Sequence, residues 1–211
     1  FGDKRQWSSL LDSYDPLYKP LLDIFGWYDF FILNLQGDVI YSVTRESDLG
    51  QNLGRELADS SFYTAFDRAS RASDSSVQFA DFKPYAPSNN DPAAFAIKAI
   101  VDDGQRIGYI ALQQPLDKVN SILGSRNGMG ETGESYLVGQ DLLMRSDSYL
   151  NPNAYSVVAS FANNNQVTTR AARSALNGQT DVAIIMDYNN NPVVSSWDYI
   201  ELASGVRWAI I

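Results

Sequence analysis

The feature that most constrains this chain is that its second half repeats the plan of its first. In the segment GMGETGESYLVGQDLLMRSDS, residues 128–148, two apolar runs, Tyr136–Val138 and Leu142–Met144, flank Gly139-Gln140-Asp141, a hairpin signature. A hundred residues earlier, Phe30–Leu33 and Val39–Val43 flank Leu35-Gln36-Gly37-Asp38 in the same way. Each hairpin is followed by a helical pattern and three strand-like runs. In the first copy these are a helix at 61–71 and strands at 76–85, 93–101 and 106–113. In the second they are a helix at 168–176, stopped by Asn177-Gly178, and strands at 180–188, 192–199 and 206–211. A supersecondary unit used twice predicts an α+β chain: a helix over 1–25, one PAS-like module over 26–114, a connecting helix and linker over 115–127, and a second module over 128–211. Each module is expected to be a mainly antiparallel sheet flanked by helices.

Composition narrows the function. With 45% hydrophobic and 12% aromatic residues the chain can build packed cores. A formal charge of -9, with no Lys/Arg cluster, argues against a nucleic-acid partner. There is no cysteine, which removes disulfides, thiol catalysis and thiolate metal sites. There is no histidine either, which removes the usual general base and imidazole ligand. No apolar run approaches the roughly 20 residues of a membrane helix, and no signal peptide is visible. Because the sequence opens on Phe1 and stops in a strand-like run, it reads as a segment of a longer protein.

Along the chain, Trp7, Leu10, Leu11, Tyr14, Leu17, Tyr18, Leu21 and Ile24 draw one helical stripe, expected to pack on the helix's own sheet. Pro16 and Pro20 predict a kink or break near Asp15, and Gly26 a stop. Phe62, Tyr63 and Phe66 share a helical turn and read as core, with one of them available to roof a pocket. The segment 81–92, DFKPYAPSNNDP, is a stiff proline-rich loop after a strand on which Phe79, Asp81, Lys83 and Tyr85 alternate onto one face. That face interleaves charged and aromatic groups, and either a solvated strand or a ligand-facing wall fits it. Asp81, Lys83 and Tyr85 are therefore the leading ligand-binding candidates, with Tyr63, Arg45 and Lys98 behind them. The second module, with Asn151–Asn153 and 163–166 as loops, is expected to be less equipped for a ligand. Asp187-Tyr188-Asn189-Asn190-Asn191 opens like a calcium loop, but Pro192 stands where glycine is needed and Asp198 where a bidentate Glu is needed. It is read as a hairpin turn, and no metal or cofactor is expected.

The residues Tyr14-Asp15-Pro16-Leu17-Tyr18, Trp27–Phe31, Asp81–Ser88, Arg106-Ile107-Gly108, Gly130–Gly139 and Leu143–Ser148 together resemble the extracytoplasmic double Cache sensor domains of bacterial receptors, over almost the whole chain. The resemblance implies a long N-terminal helix, two PAS-like modules, and a non-catalytic domain between two membrane helices of a histidine kinase, a chemoreceptor or a cyclase. A sensor histidine kinase is the leading reading, with a periplasmic or extracellular location. It implies a small polar metabolite bound in the first, membrane-distal module, and a conformational change relayed through the second. The full receptor would be a homodimer, and the isolated chain a monomer or weak dimer. Arg145 and Asp147 are read as structural, an internal ion pair. Relatives that bind amino acids hold the carboxylate with an Arg, Trp and Tyr cluster at the start of the helix after the second strand, and the ammonium with an aspartate on the fifth strand. Here the helix start reads Leu57–Tyr63 without Arg or Trp, and Gln113 stands where the aspartate should be, which by this resemblance makes Gln113 a further ligand-binding candidate. The resemblance thus implies a ligand other than an ordinary α-amino acid.

Two other classes compete. A hydrolase could use two carboxylates among Asp81, Asp102, Asp103 and Asp187 without histidine, though no spacing pairs them. An adhesion module would carry stalk or wall-binding repeats, and none is present. Turnover on a panel of glycosides separates the hydrolase from a sensor.

Overall fold

The computed structural model describes residues 4–211, with side chains described from Ser9 onward. Phe1–Asp3 of the expected helix and the Trp7 side chain lie outside the described residues. The described chain is a helix α1 (Lys4–Phe25), then β1 (Asp29–Leu33), β2 (Val39–Ser42), α2 (Ser61–Arg71), β3 (Gln78–Pro84), β4 (Pro92–Asp102) and β5 (Gln105–Gln113). It continues with α3 (Leu116–Leu123), β6 (Leu137–Val138), α4 (Pro152–Tyr155), α5 (Val157–Asn163), α6 (Arg170–Leu176), β7 (Asp181–Met186), β8 (Pro192–Glu201) and β9 (Arg207–Ile210). The described residues form two compact units, one running to Ala80 and resuming at Tyr85–Pro115, the other made of Asp81–Pro84 and Leu116–Ile211.

The repeat is visible in the sheets. The first has the order β2-β1-β5-β4-β3 and the second β6-β9-β8-β7. These are the same order, with the second copy's counterpart of β2 reduced to a single bridge between Val138 and Met144. The expected hairpin at 136–144 is thus much shorter than its twin. Leu142 has a φ of 67°, and Arg145 turns inward directly after Met144, so the ladder cannot extend. A second departure is the segment 152–163, read as flanked by loops, which holds α4 and α5. Pro152 starts the first, and Ser156 caps the second by accepting the Ala159 N–H.

In the first unit, α2 begins at Ser60, whose hydroxyl accepts the Tyr63 N–H, and ends with Arg68 and Arg71 in its last turn. It buries Phe62, Ala65, Phe66 and Ala69, the i, i+3, i+4, i+7 set, on one face of the sheet. Against them lie Phe31 and Leu33 of β1, Phe95 and Ile97 of β4, and Tyr109 and Ala111 of β5. Phe62 stacks on Phe95 with centroids 4.3 Å apart. Gly108 lets β5 approach β1: a Cβ there would sit 2.7 Å from the Leu33 carbonyl oxygen.

Helix α1 corrects two expectations. It continues unbroken through Pro16 and Pro20. Both prolines are exposed, on the side of the helix away from Leu11 and Leu22, so water can take the carbonyls that lose their N–H partners. The apolar stripe is also two stripes about 100° apart. Leu11 and Leu22 are buried and Tyr18 stacks on Phe30 at 4.4 Å, whereas Leu10, Tyr14, Leu17, Leu21 and Ile24 are exposed. Spacings of three and four fit both lines, so the sequence pattern merged them.

In the second unit, Val138, Met144, Val157, Val167, Ala171, Ala172, Ala175, Trp197 and Ala209 form the core. Through it runs Arg145, whose side chain is 2% exposed. Its guanidinium binds both Asp81 oxygens at 2.8 Å and Asp141 at 2.9 Å, and Asp81 also accepts the Trp208 indole N–H at 3.0 Å. Gly139 makes room for it, since a Cβ there would lie 2.1 Å from the guanidinium carbon. Arg145 is therefore in an ion pair, but not with Asp147. That carboxylate accepts the Val157 N–H at the start of α5 and the Asn120 amide. Outward on the edge hairpin, Val182, Ile184, Met186 and Val194 are exposed. No helix among the described residues is long and apolar enough to cross a membrane.

Candidate functional site

At one end of the first sheet the inward row changes from apolar to polar. Asp29, Gln113 and Phe95 are register partners on β1, β5 and β4. They continue the inward rows Phe31 and Leu33, Ala111 and Tyr109, and Ile97 and Ala99. Two of the three side chains in that row are therefore polar groups at core positions.

Asp29 is fully satisfied. It accepts the N–H groups of Phe30, Val43 and Thr44 and the hydroxyls of Ser42 and Thr44, all between 2.6 and 3.1 Å. Burial raises its pKa and these bonds pull it back. Its task is to fix the turn that leaves β2. Beyond it, that turn and the loop after β3 meet. Tyr28 donates to Glu46 at 2.6 Å, and the other Glu46 oxygen accepts Ser88 Oγ–H at 2.8 Å. Gln113 Nε2 reaches Ser88 Oγ at 3.4 Å, and Tyr85 donates to Asp48 Oδ2 at 2.7 Å. The Tyr85 carbonyl accepts the N–H groups of Ser88 and Asn90, and the Tyr85 N–H returns to Asp91, so the proline-rich loop holds the ring still. That ring packs edge-on against Phe95 at 5.0 Å.

The deepest group is Asp48, with no exposed surface, and its Oδ1 has no hydrogen-bond partner. Gln113, 5% exposed, likewise has Oε1 unpartnered. Burial, the larger cause, and then the charges of Asp29 and Glu46 push Asp48 up to about 6, against the pull of its bond from Tyr85. The Tyr85 phenol is raised by burial and then by Asp48, Glu46 and Asp29, so it remains a donor. The charges that act most strongly on Asp48 and Tyr85 are carboxylates. Two orphaned buried acceptors among acidic neighbours form a site that lacks a donor.

Of the residues singled out from sequence, this arrangement unites Tyr85 and Gln113. Tyr63 lies against the same core, half-buried at the start of α2. Asp81 belongs to the second unit, on Arg145. Lys83 and Lys98 are exposed, and Arg45, at φ 57°, is tied to Asp12 at 2.6 Å and Asp15 at 2.9 Å. Asp48, Glu46, Ser88 and Asp29 were not anticipated. Only Asp29 carried a sequence signal, a carboxylate in phase with Phe31 and Leu33 on an alternating strand.

No family model and no curated protein matches this sequence. Solved structures do match. The extracellular domain of vpHK1S-Z8, described as a histidine kinase, aligns over 99% of this chain and 75% of its own at 11% identity, with a TM-score of 0.56. The ligand-binding domain of the Pseudomonas fluorescens chemoreceptor CtaA, in complex with L-serine, aligns over 87% and 70% at 14% identity, TM-score 0.53. The periplasmic sensory domain of the Campylobacter jejuni chemoreceptor Tlp1 aligns over 86% and 70% at 13% identity, TM-score 0.55. The chain shares the fold of these sensor domains.

Proposed function

We propose that this chain is the extracytoplasmic ligand-sensing domain of a bacterial transmembrane receptor, a sensor histidine kinase in the leading form, and that it performs no chemistry itself. The observation that carries the reading is the pair of buried, unpartnered acceptors, Asp48 Oδ1 and Gln113 Oε1, at the polar end of the first sheet. A carboxylate that burial and like charges hold near pKa 6 costs stability where it stands, and such groups mark binding sites. The ligand is a small polar metabolite offering N–H or O–H donors, held by Asp48, Gln113 and Ser88 beside the Tyr85 ring. The Tyr85–Asp91 loop and the turn carrying Glu46 and Asp48 close over it. Because one segment joins β3 to β4 and the other leads from β2 to α2, a ligand that draws them together shifts the balance between two conformations, and flanking segments can read that shift. A thermal-shift screen of small metabolites tests the proposal. A true ligand at a hundred times its Kd stabilises by about 2.7 kcal/mol, and Asp48→Asn or Gln113→Ala removes that gain. Stabilisation untouched by both substitutions, or turnover of the hit, would overturn it.

A further inference from the structure

The second unit holds a cleft of about 240 Å³ that plays no part in the site above. Its walls come from the segment before β6, from the turn between β7 and β8, and from β8 itself. Glu134, Tyr136, Asp187, Tyr188 and Ser195 line it, with Val193, Val194 and Ile211 as its apolar part. Two lining residues, Tyr136 and Ser195, are more than nine-tenths buried. Ser195 Oγ has no hydrogen-bond partner. Glu134 is committed: it binds Tyr188, Ser148 Oγ–H and the N–H groups of Tyr149 and Leu150. Asp187 uses only Oδ1, which accepts the N–H groups of Asn189 and Asn191. The Tyr136 and Tyr188 rings meet edge to face at 5.2 Å, which turns one aromatic face toward the other's rim.

The lining contains two carboxylates and no lysine or arginine. It therefore cannot neutralise a carboxylate or phosphate, and it favours positive charge beside aromatic rings. The volume equals about eight water molecules, a size for a short-chain molecule. No group of three acidic residues placed to hold a metal ion occurs among the described residues, so the charge belongs to an organic cation. From this we infer that the second unit carries a binding site of its own for a small alkylammonium compound without a carboxylate. Its N–H groups would face Asp187, the free Ser195 hydroxyl and the Tyr136 ring, and its carbon chain would lie on Val193 and Ile211. This site is separate from the one proposed in the first unit.

The test is calorimetric titration of the full chain with ethanolamine and 1,4-diaminobutane, with ethylene glycol and acetate as neutral and anionic probes. Saturable millimolar or tighter binding of an amine, and of neither control, is expected. Asp187→Asn keeps the oxygen that holds the turn and should weaken amine binding about tenfold or more, the scale of one lost charge-assisted bond. Ser195→Ala and Tyr136→Phe should weaken it less, while Asp198→Asn on the exposed face of β8 should leave it unchanged. Amide chemical-shift changes confined to 132–136 and 187–196 would support the site even if a variant folds poorly. Equal binding of ethylene glycol, equal loss with Asp198→Asn, or shifts confined to the first unit would each overturn it. Failure here leaves the first-unit site standing, because that site is tested by Asp48 and Gln113.

Discussion

Replacing Asp48 by Asn should stabilise this protein at neutral pH, and the size of the gain can be worked from the site. The native carboxyl titrates at about 6 against 3.8 as a model group, a difference of about 2 units. Each unit corresponds to about 1.4 kcal/mol, so ionising Asp48 in place costs about 3 kcal/mol. The sign follows from which state holds the proton more tightly, here the native one. The contribution is therefore intact below the unfolded value near pH 4, shrinks as pH rises, and is gone above about pH 6. Asparagine never ionises. Its amide still accepts from Tyr85, although a neutral acceptor gives up about 1 kcal/mol of that bond, which leaves a net gain of about 2 kcal/mol at pH 7.5 and near zero or slightly negative at pH 4. Urea unfolding of both proteins across this range gives the difference curve. In that difference Asp29, Glu46, Tyr28 and Tyr85, the other titratable groups around Asp48, largely cancel. A flat curve would mean that Asp48 is not a strained buried carboxylate. A variant less stable at pH 7.5 would mean that the Tyr85 bond outweighs the burial cost. In either case the argument that this group is placed for binding would fail.

Other consequences are as direct. Arg145→Ala should cost about 3–5 kcal/mol in urea unfolding, because it strips Asp81 and Asp141 of their shared cation inside the second core; a cost below about 1 kcal/mol would show that the pair is idle. Gly108→Ala should cost about 1–3 kcal/mol, since its Cβ meets the Leu33 carbonyl at 2.7 Å and neither sheet backbone can retreat; an unchanged unfolding midpoint would refute the close packing. None of the twenty α-amino acids should bind at micromolar Kd in calorimetry. Among the described residues the first site joins orphaned acceptors and carboxylate charges without a cation bonded to them that could hold a ligand carboxylate, an omission worth about 1–3 kcal/mol. Micromolar binding of any of them would refute that inference.

How far the sequence could lead is set by the range of the interaction in question. The repeat and the period-2 strands are local, and they place α2 and the strands of the first sheet to within a residue or two. The two stripes on α1 show the limit of a local pattern. Leu10, Tyr14, Leu17, Leu21 and Ile24 obey the same spacing as Leu11, Tyr18 and Leu22, and only the position of β1 and β2 decides which line is covered. The site lies beyond that limit altogether. Asp48 sits in a loop without periodicity and meets Tyr85 across 37 residues of chain, while Ser88 meets Glu46 across 42. Asp81 shares a strand face with charged and aromatic neighbours in the sequence pattern, yet it is claimed by Arg145 from 64 residues away, in a motif whose spacing says nothing of its partner. Gln113 enters the sequence reading only through the family alignment and Asp29 not at all, although each is a polar residue in phase with buried neighbours on a strand. An alternating strand states which side chains go inward even when those side chains are unsuited to a core. In this chain the two lie directly opposite each other at one end of the first sheet, Asp29 satisfied by its hydrogen bonds and Gln113 with an unpartnered Oε1, so the stability given up by the mismatch lies on Gln113.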